Sequence, residues 1–152
     1  TFATELEYAR TILPVMLERG YGTIINMTSN AALTDPPAAT GAGGWGFGYA
    51  GAKGAFHRLA GILHVELRDR GIRVYNVEPG VVATEVQQEL FRGGAEWNPE
   101  GGAAPMSVPA AVIAWLATNP EAERMCGKTI FAQPFCKERR LVLGWPSAEP
   151  SR

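Results

Sequence analysis

Tyr49 and Lys53 stand four residues apart in the run G-Y-A-G-A-K, at the start of a segment with helical periodicity. Residues i and i+4 lie one turn apart on the same helix face, so the two side chains can project into one cleft. A free phenol has a pKa of roughly 10 and is a poor proton carrier at neutrality. A nearby ammonium favours the phenolate and should lower that value. A tyrosine tuned in this way can give a proton to a carbonyl oxygen or take one from an alcohol. Taken alone, Y-x-x-x-K also occurs on many solvated helix faces, so its meaning comes from its neighbours.

Two neighbouring runs supply that context. G-T-I-I-N-M-T-S places Thr28 and Ser29 at the end of a β-rich stretch, where parallel sheets hold their ligands. A hydroxyl there can hydrogen-bond a substrate oxygen as charge develops on it, although Ser29 could equally serve a local turn. Further on, N-V-E-P-G-V-V-A-T-E closes a second β-rich stretch with Pro79-Gly80, which forces a turn. Thr84 in that run can contact a ligand or cap the next helix.

The elements that must position these residues follow from periodicity. Residues 2–19 carry Leu6, Ala9, Leu13, Met16 and Leu17 at helical spacing, and Pro14 predicts a kink or a lost hydrogen bond. Gly20 and Gly22 end that helix, and 23–28 reads as a buried strand. A loop rich in Ala, Gly and Pro covers 30–46. A second helix runs over 47–70 through Ala52, Phe56, Leu59, Leu63 and Leu67, with Gly71 as its stop. A strand over 72–77 follows, then a short helical stretch near 84–91 and a Gly/Pro/Ala-rich segment to Pro105. Ser107 can cap a helix over 108–118 with Pro109 in its first turn. A third strand covers 129–132, and 133–152 is left as a C-terminal tail in which K-E-R-R reads as a solvated face.

Alternating helices and strands are the mark of an α/β fold, a parallel sheet with helices on both faces in three Rossmann-like layers. Right-handed crossovers would set the strands side by side in chain order. Three strands is few for such a sheet, where five or six are usual. Thr1 also falls in an already helical pattern with no cap before it. The expectation is a single partial domain over 1–152, the C-terminal half of a larger one.

Bulk properties remove other classes. A formal net charge of −1 lacks the basic excess of a nucleic-acid footprint. No apolar run reaches the roughly 20 residues of a membrane span, so the chain reads as soluble. Cys126 and Cys136 fit neither a disulfide framework nor a four-ligand metal site and read as buried or half-buried thiols. His57 and His64 lie about 10 Å apart along one helix, too far to share a metal. No metal is expected. The run from Gly41 to Gly46 matches G-x-G-x-x-G literally, but no strand precedes it, and Trp45 is bulky for a phosphate cradle. It reads as a pocket rim.

In their order, I-I-N-M-T-S, G-Y-A-G-A-K and V-Y-N-V-E-P-G-V-V-A-T resemble the short-chain dehydrogenase/reductase family, from about Arg10 to the Gly127-Lys128-Thr129 run. The resemblance implies that Tyr49 is the catalytic acid/base and that Lys53 binds the nicotinamide ribose and lowers the tyrosine's pKa. It implies that Ser29 orients the substrate's carbonyl or hydroxyl. Pro79, Gly80, Val82 and Thr84 would hold the nicotinamide end, Val82 at its carboxamide. NAD or NADP would supply the hydride for interconverting an alcohol and a carbonyl on a small-molecule substrate. Residues 85–105 would occupy the substrate lid, with Phe91 and Trp97 as candidates to line it. A cytoplasmic homodimer or homotetramer, packed through the helices over 2–19 and 47–70, is implied as well.

Three features depart from the family pattern. Its dinucleotide-binding glycine motif, on the first strand and helix, has no counterpart here. Its structural Asn would fall near Thr1. The loop between Ser29 and Tyr49 is longer than usual, which can reshape a substrate pocket. The first departure motivates a second reading, a non-catalytic remnant or interaction module lacking cofactor binding.

Overall fold

The computed structural model describes residues 2–85 and 103–146. The expected short helix near 84–91, apart from its first two residues, and the candidate lid residues Phe91 and Trp97 lie outside that range. Seven main elements alternate along the described chain: α1 (Phe2–Arg19), β1 (Gly22–Met27), α2 (Phe47–Leu67), β2 (Ile72–Glu78), α3 (Ser107–Thr118), β3 (Thr129–Phe131) and α4 (Ala132–Arg139). The strands form one parallel sheet in the order β1-β2-β3. The fold is thus the Rossmann-like α/β arrangement its sequence implies. No helix among the described residues is long and apolar enough to cross a membrane.

Side chains alternate across the strands and divide the core in two. Ile72 and Val74 of β2 face Ala60 and Leu63 of α2, with Leu13, Met16 and Leu17 of α1 and Ile24 of β1 packed alongside. Tyr75 and Val77 point the other way and join Val108, Val112 and Leu116 of α3, Ile130 of β3, and Phe135 and Cys136 of α4. β2 is covered on both faces and is buried along nearly its whole length. Such a strand needs a run of β-branched and aromatic residues, which I-R-V-Y-N-V supplies.

Element ends differ in instructive ways from the periodicity. Helical periodicity does not separate a tightened last turn from the helix before it, so the predicted helix over 47–70 includes a 3-10 turn at Arg68–Arg70. Ser107 is the first helical residue and not the cap. Met106 holds that place with no side-chain cap bond. The helix starts from a turn in which Pro105 O accepts from Val108 N and Met106 O accepts from Ala110 N. The third strand stops at Phe131, and the segment read as a tail continues at once into α4. Pro134 sits in the first turn of α4, where its missing N–H costs little. The ring of Phe135 meets Trp115 edge-on at 5.0 Å. Tertiary burial makes this helix where the local pattern is weak.

Between α2 and β2 the chain reverses at Gly71, which has φ 75°. Its carbonyl accepts from Gly22 N at 3.2 Å, and a Cβ built there would run into the Gly20 carbonyl. Backbone strain and the clash act together. Gly71→Ala is expected to cost about 1–3 kcal/mol, read as a lower urea midpoint with an unchanged m value. An unchanged midpoint would show that the turn is not constrained in this way.

Candidate active site

Parallel pairing brings the ends of β1 and β2 together. Met27 and Val77 are register partners, and Thr28 N donates to Val77 O at 2.9 Å. Ser29 and Pro79 therefore leave the sheet side by side at its C-terminal edge. Ser29 is extended, and its Oγ accepts from Ala31 N at 3.3 Å, capping the short 3-10 turn Asn30–Ala32. That turn packs against α2. The hydroxyl thus fills the local role weighed for it, and it still has a proton to donate.

α2 begins at Phe47, so Tyr49 and Lys53 occupy its first two turns. Tyr49 is 51% exposed, open to a ligand in a way that a core tyrosine is not. Lys53 is half-buried, and its Nζ donates to Met27 O at 2.9 Å. The ammonium also lies 5.9 Å from the centre of the Phe56 ring. The lysine thereby ties the start of α2 to the end of β1, two residues before Ser29. The sequence-derived residues Ser29, Lys53 and Pro79 come from three separate stretches of chain to one edge of the sheet, with Tyr49 one helical turn before Lys53.

The segment after β2 is held from several sides. Gly80 takes a left-handed conformation, φ 68°, and the Glu78 carboxylate accepts from Gly80 N at 2.9 Å. Gln133 Nε2 donates to Val81 O at 2.9 Å and to Pro79 O at 3.3 Å. Ala104 N donates to Val81 O, and Ala83 N donates to Ala104 O, both at 2.9 Å, which bridges Val82 to Ala104. Thr84 N bonds Val82 O at 2.8 Å. Gln133 was not foreseen. It sits in the stretch read as tail, and no local signal in the sequence marks it.

His57 was weighed only as a metal ligand, and its place is a different one. Asn26, Asn76 and Thr129 are register partners across β1, β2 and β3. Asn26 Nδ2 donates to Asn76 Oδ1 at 3.3 Å, and Asn76 Nδ2 donates to the His57 carbonyl at 2.8 Å. The His57 ring lies between two threonines, Nδ1 3.1 Å from Thr28 Oγ1 and Nε2 3.3 Å from Thr129 Oγ1. Asn26, Thr28 and Asn76 are all buried. A neutral imidazole suits this site, with one nitrogen donating and the other accepting.

The glycine-rich run is a closed turn. Gly41 and Gly43 have φ 89° and 96°, and Ala42 N and Gly44 N both donate to Ala39 O. Amides spent in this way cannot cradle a phosphate. Among the described residues no group of three His, Cys, Asp or Glu could hold a metal ion. Cys126 and Cys136 are free thiols.

The chain is similar to known proteins in both sequence and fold. The short chain dehydrogenase model matches residues 2–94. The galactitol 2-dehydrogenase (L-tagatose-forming) of Cereibacter sphaeroides is 33% identical over 119 residues, covering 74% of this chain and 44% of that protein. A 2,3-dihydroxy-2,3-dihydro-p-cumate dehydrogenase of Pseudomonas putida is 31% identical over 134 residues, covering 84% and 49%. Among solved structures, a gluconate 5-dehydrogenase from Burkholderia cenocepacia in complex with NADP and tartrate superposes with a TM-score of 0.68 at 25% identity, covering 81% of this chain and 48% of that one. The chain spans about half the length of the curated relatives it matches.

Burial lowers the His57 pKa below 6.5, and the Arg58 guanidinium lowers it further. The unfolded chain then binds this proton more readily than the folded one. The stability contributed is complete above about pH 6.5 and is lost as pH falls through the lowered value. His57→Gln should flatten that part of the stability profile, followed by urea unfolding from about pH 8 to about pH 5. An equal acid slope in the variant would assign the loss to other groups.

Proposed function

The chain belongs to the short-chain dehydrogenase family, and we propose that it forms the acid–base part of an oxidoreductase that interconverts an alcohol and a carbonyl with NAD or NADP. One observation carries this reading. Lys53, anchored on Met27 O two residues before Ser29, ties the helix turn that carries half-exposed Tyr49 to the sheet edge where Ser29 and the fixed Pro79–Val81 turn emerge.

The donor set fits the nicotinamide half of a dinucleotide: a phenol, an ammonium and the main chain of a constrained turn. When bound, the nicotinamide supplies or accepts the hydride. The chain's own residues position the reactants and handle the proton. Ser29 donates its hydroxyl proton to the substrate oxygen. Tyr49 gives its phenolic proton to that oxygen in reduction and takes it back in oxidation. Lys53 lies one helical turn from Tyr49, and its donors can take a ribose hydroxyl. Pro79, Gly80, Val82 and Thr84 present backbone and hydroxyl groups to the nicotinamide end, and Gln133 holds that turn in shape.

We place these roles in a single domain over 1–152. Exposed Tyr8, Ile12 and Val15 on α1, with Ile62 and Val65 on α2, support a homodimer or homotetramer. The free thiols suit a cytoplasmic setting. Polyols and hydroxy acids, the classes named for the similar dehydrogenases, are the first substrates to try.

In the natural protein, Tyr49→Phe should lower kcat by about 10²–10⁴-fold, while calorimetry with NADH and NADPH shows binding unchanged. Undiminished turnover in this variant would reject the acid–base role. Failure of the wild-type protein to bind either dinucleotide would favour an interaction module. Gln133→Ala should raise the KM for the dinucleotide about five-fold with kcat nearly constant, the effect of about one hydrogen bond. An unaltered KM would mean that the turn keeps its shape without the clasp.

A further inference from the structure

Lys53 and His57 lie four residues apart on α2, and both reach the last residues of β1. Lys53 Nζ holds Met27 O at 2.9 Å, and His57 Nδ1 meets Thr28 Oγ1 at 3.1 Å. Met27 and Thr28 immediately precede Ser29. The covalent route from Ser29 to Tyr49 runs through the loop over 30–46, too long to fix their spacing. Two side-chain contacts at the base of that loop set it instead, together with the packing of the Asn30–Ala32 turn against α2. Lys53 has a second duty in the proposed reaction, whereas the His57 side chain has none.

The imidazole is itself held on two further sides. Thr129 Oγ1 lies 3.3 Å from Nε2, on the edge of the ring away from Thr28. Asn76 fixes the His57 backbone by donating to its carbonyl at 2.8 Å. With its backbone fixed by Asn76, His57 presents Nδ1 to Thr28, and the Thr129 contact adds stability at the opposite edge of the ring.

Resting on the oxidoreductase reading above, we propose that His57 is a positioning residue, which holds Thr28, and through it Ser29, in register with Tyr49 and Lys53. The effect on rate follows from geometry, since a displacement of about 1 Å at reacting groups can cost about 10²-fold. The Thr129 contact braces the ring but leads to no group in the proposed reaction. The two threonines on one imidazole thus separate positioning from stability.

The test compares Thr28→Val and Thr129→Val in the natural protein, using whichever polyol or hydroxy acid the wild-type enzyme oxidises. Each variant removes the threonine hydroxyl that meets one nitrogen of the His57 ring and keeps the side-chain shape. Similar losses in Tm are expected from both. Thr28→Val should lower kcat about ten-fold or more with the dinucleotide KM unchanged, and Thr129→Val should alter kcat by less than about two-fold. Thr28→Ser, which restores the hydroxyl, should recover most of the rate. Equal changes in kcat in the two valine variants, or a full rate in Thr28→Val, would overturn the positioning role. A wild-type protein without turnover on any of these alcohols would instead overturn the oxidoreductase reading.

Discussion

Polar groups buried beneath a helix must find partners within the protein, and this constraint organises the face of the sheet under α2. An unpaired buried donor or acceptor costs about 1–3 kcal/mol, a large share of a small domain's stability. At the N-terminal ends of the strands that face is apolar, with Ile24, Ile72 and Val74 packed under α2. Toward the C-terminal ends it turns polar, through Asn26, Asn76, Thr28 and Thr129. Parallel register sets Asn26, Asn76 and Thr129 in one row, and His57 closes the row from above. The apolar end gives α2 its affinity for the sheet. The polar end gives it a fixed position, because hydrogen bonds depend on distance and angle far more steeply than apolar contact does.

Under the proposed function a fixed helix matters because the strands end in the groups assigned to the reaction, and the same register brings those ends together. β1 and β2 finish level, so Ser29 and Pro79 emerge as neighbours, while β3 runs on into α4 and brings Gln133 back over the turn. Among the described residues, the Glu78 carboxylate, the Gln133 amide and the Ala104 backbone shape the Pro79–Val81 turn. Under the proposed function, a turn held in this way would lose little entropy when the dinucleotide arrives. The left-handed Gly80 belongs to the same economy of space, since a Cβ there would meet the Gln133 side chain.

Much of this was legible in the sequence where local pattern and tertiary structure agree. The strands at Thr23, Ile72 and Thr129 and the helices carrying Leu13, Leu59 and Val112 follow from periodicity, since each has an apolar stripe or a β-branched run. Ser29, Tyr49 and Lys53 could be singled out because type, spacing and order coincide. His57 and Gln133 could not. A histidine on a helix face and a glutamine before a proline carry no local mark, and their partners lie from 29 to 72 residues away along the chain. The helix Ala132–Arg139 escaped for a related reason. Its evidence is Phe135 and Cys136 in a core that forms only when α3 is present.

The long loop between Ser29 and Tyr49 shows what such long-range contacts permit. Closing a loop costs entropy that grows only slowly with length, about 0.6 kcal/mol for each doubling. Residues can therefore be added between a strand end and the next helix at small thermodynamic cost, provided something other than the loop sets their spacing. Here Lys53 and His57 do so from the helix side, on Met27 and Thr28. The loop is left free to fold on itself, as the closed turn around Gly41 and Gly43 shows. Length in that loop and precision at its base are separate variables, so a substrate rim can be rebuilt there without moving the groups that would handle the proton.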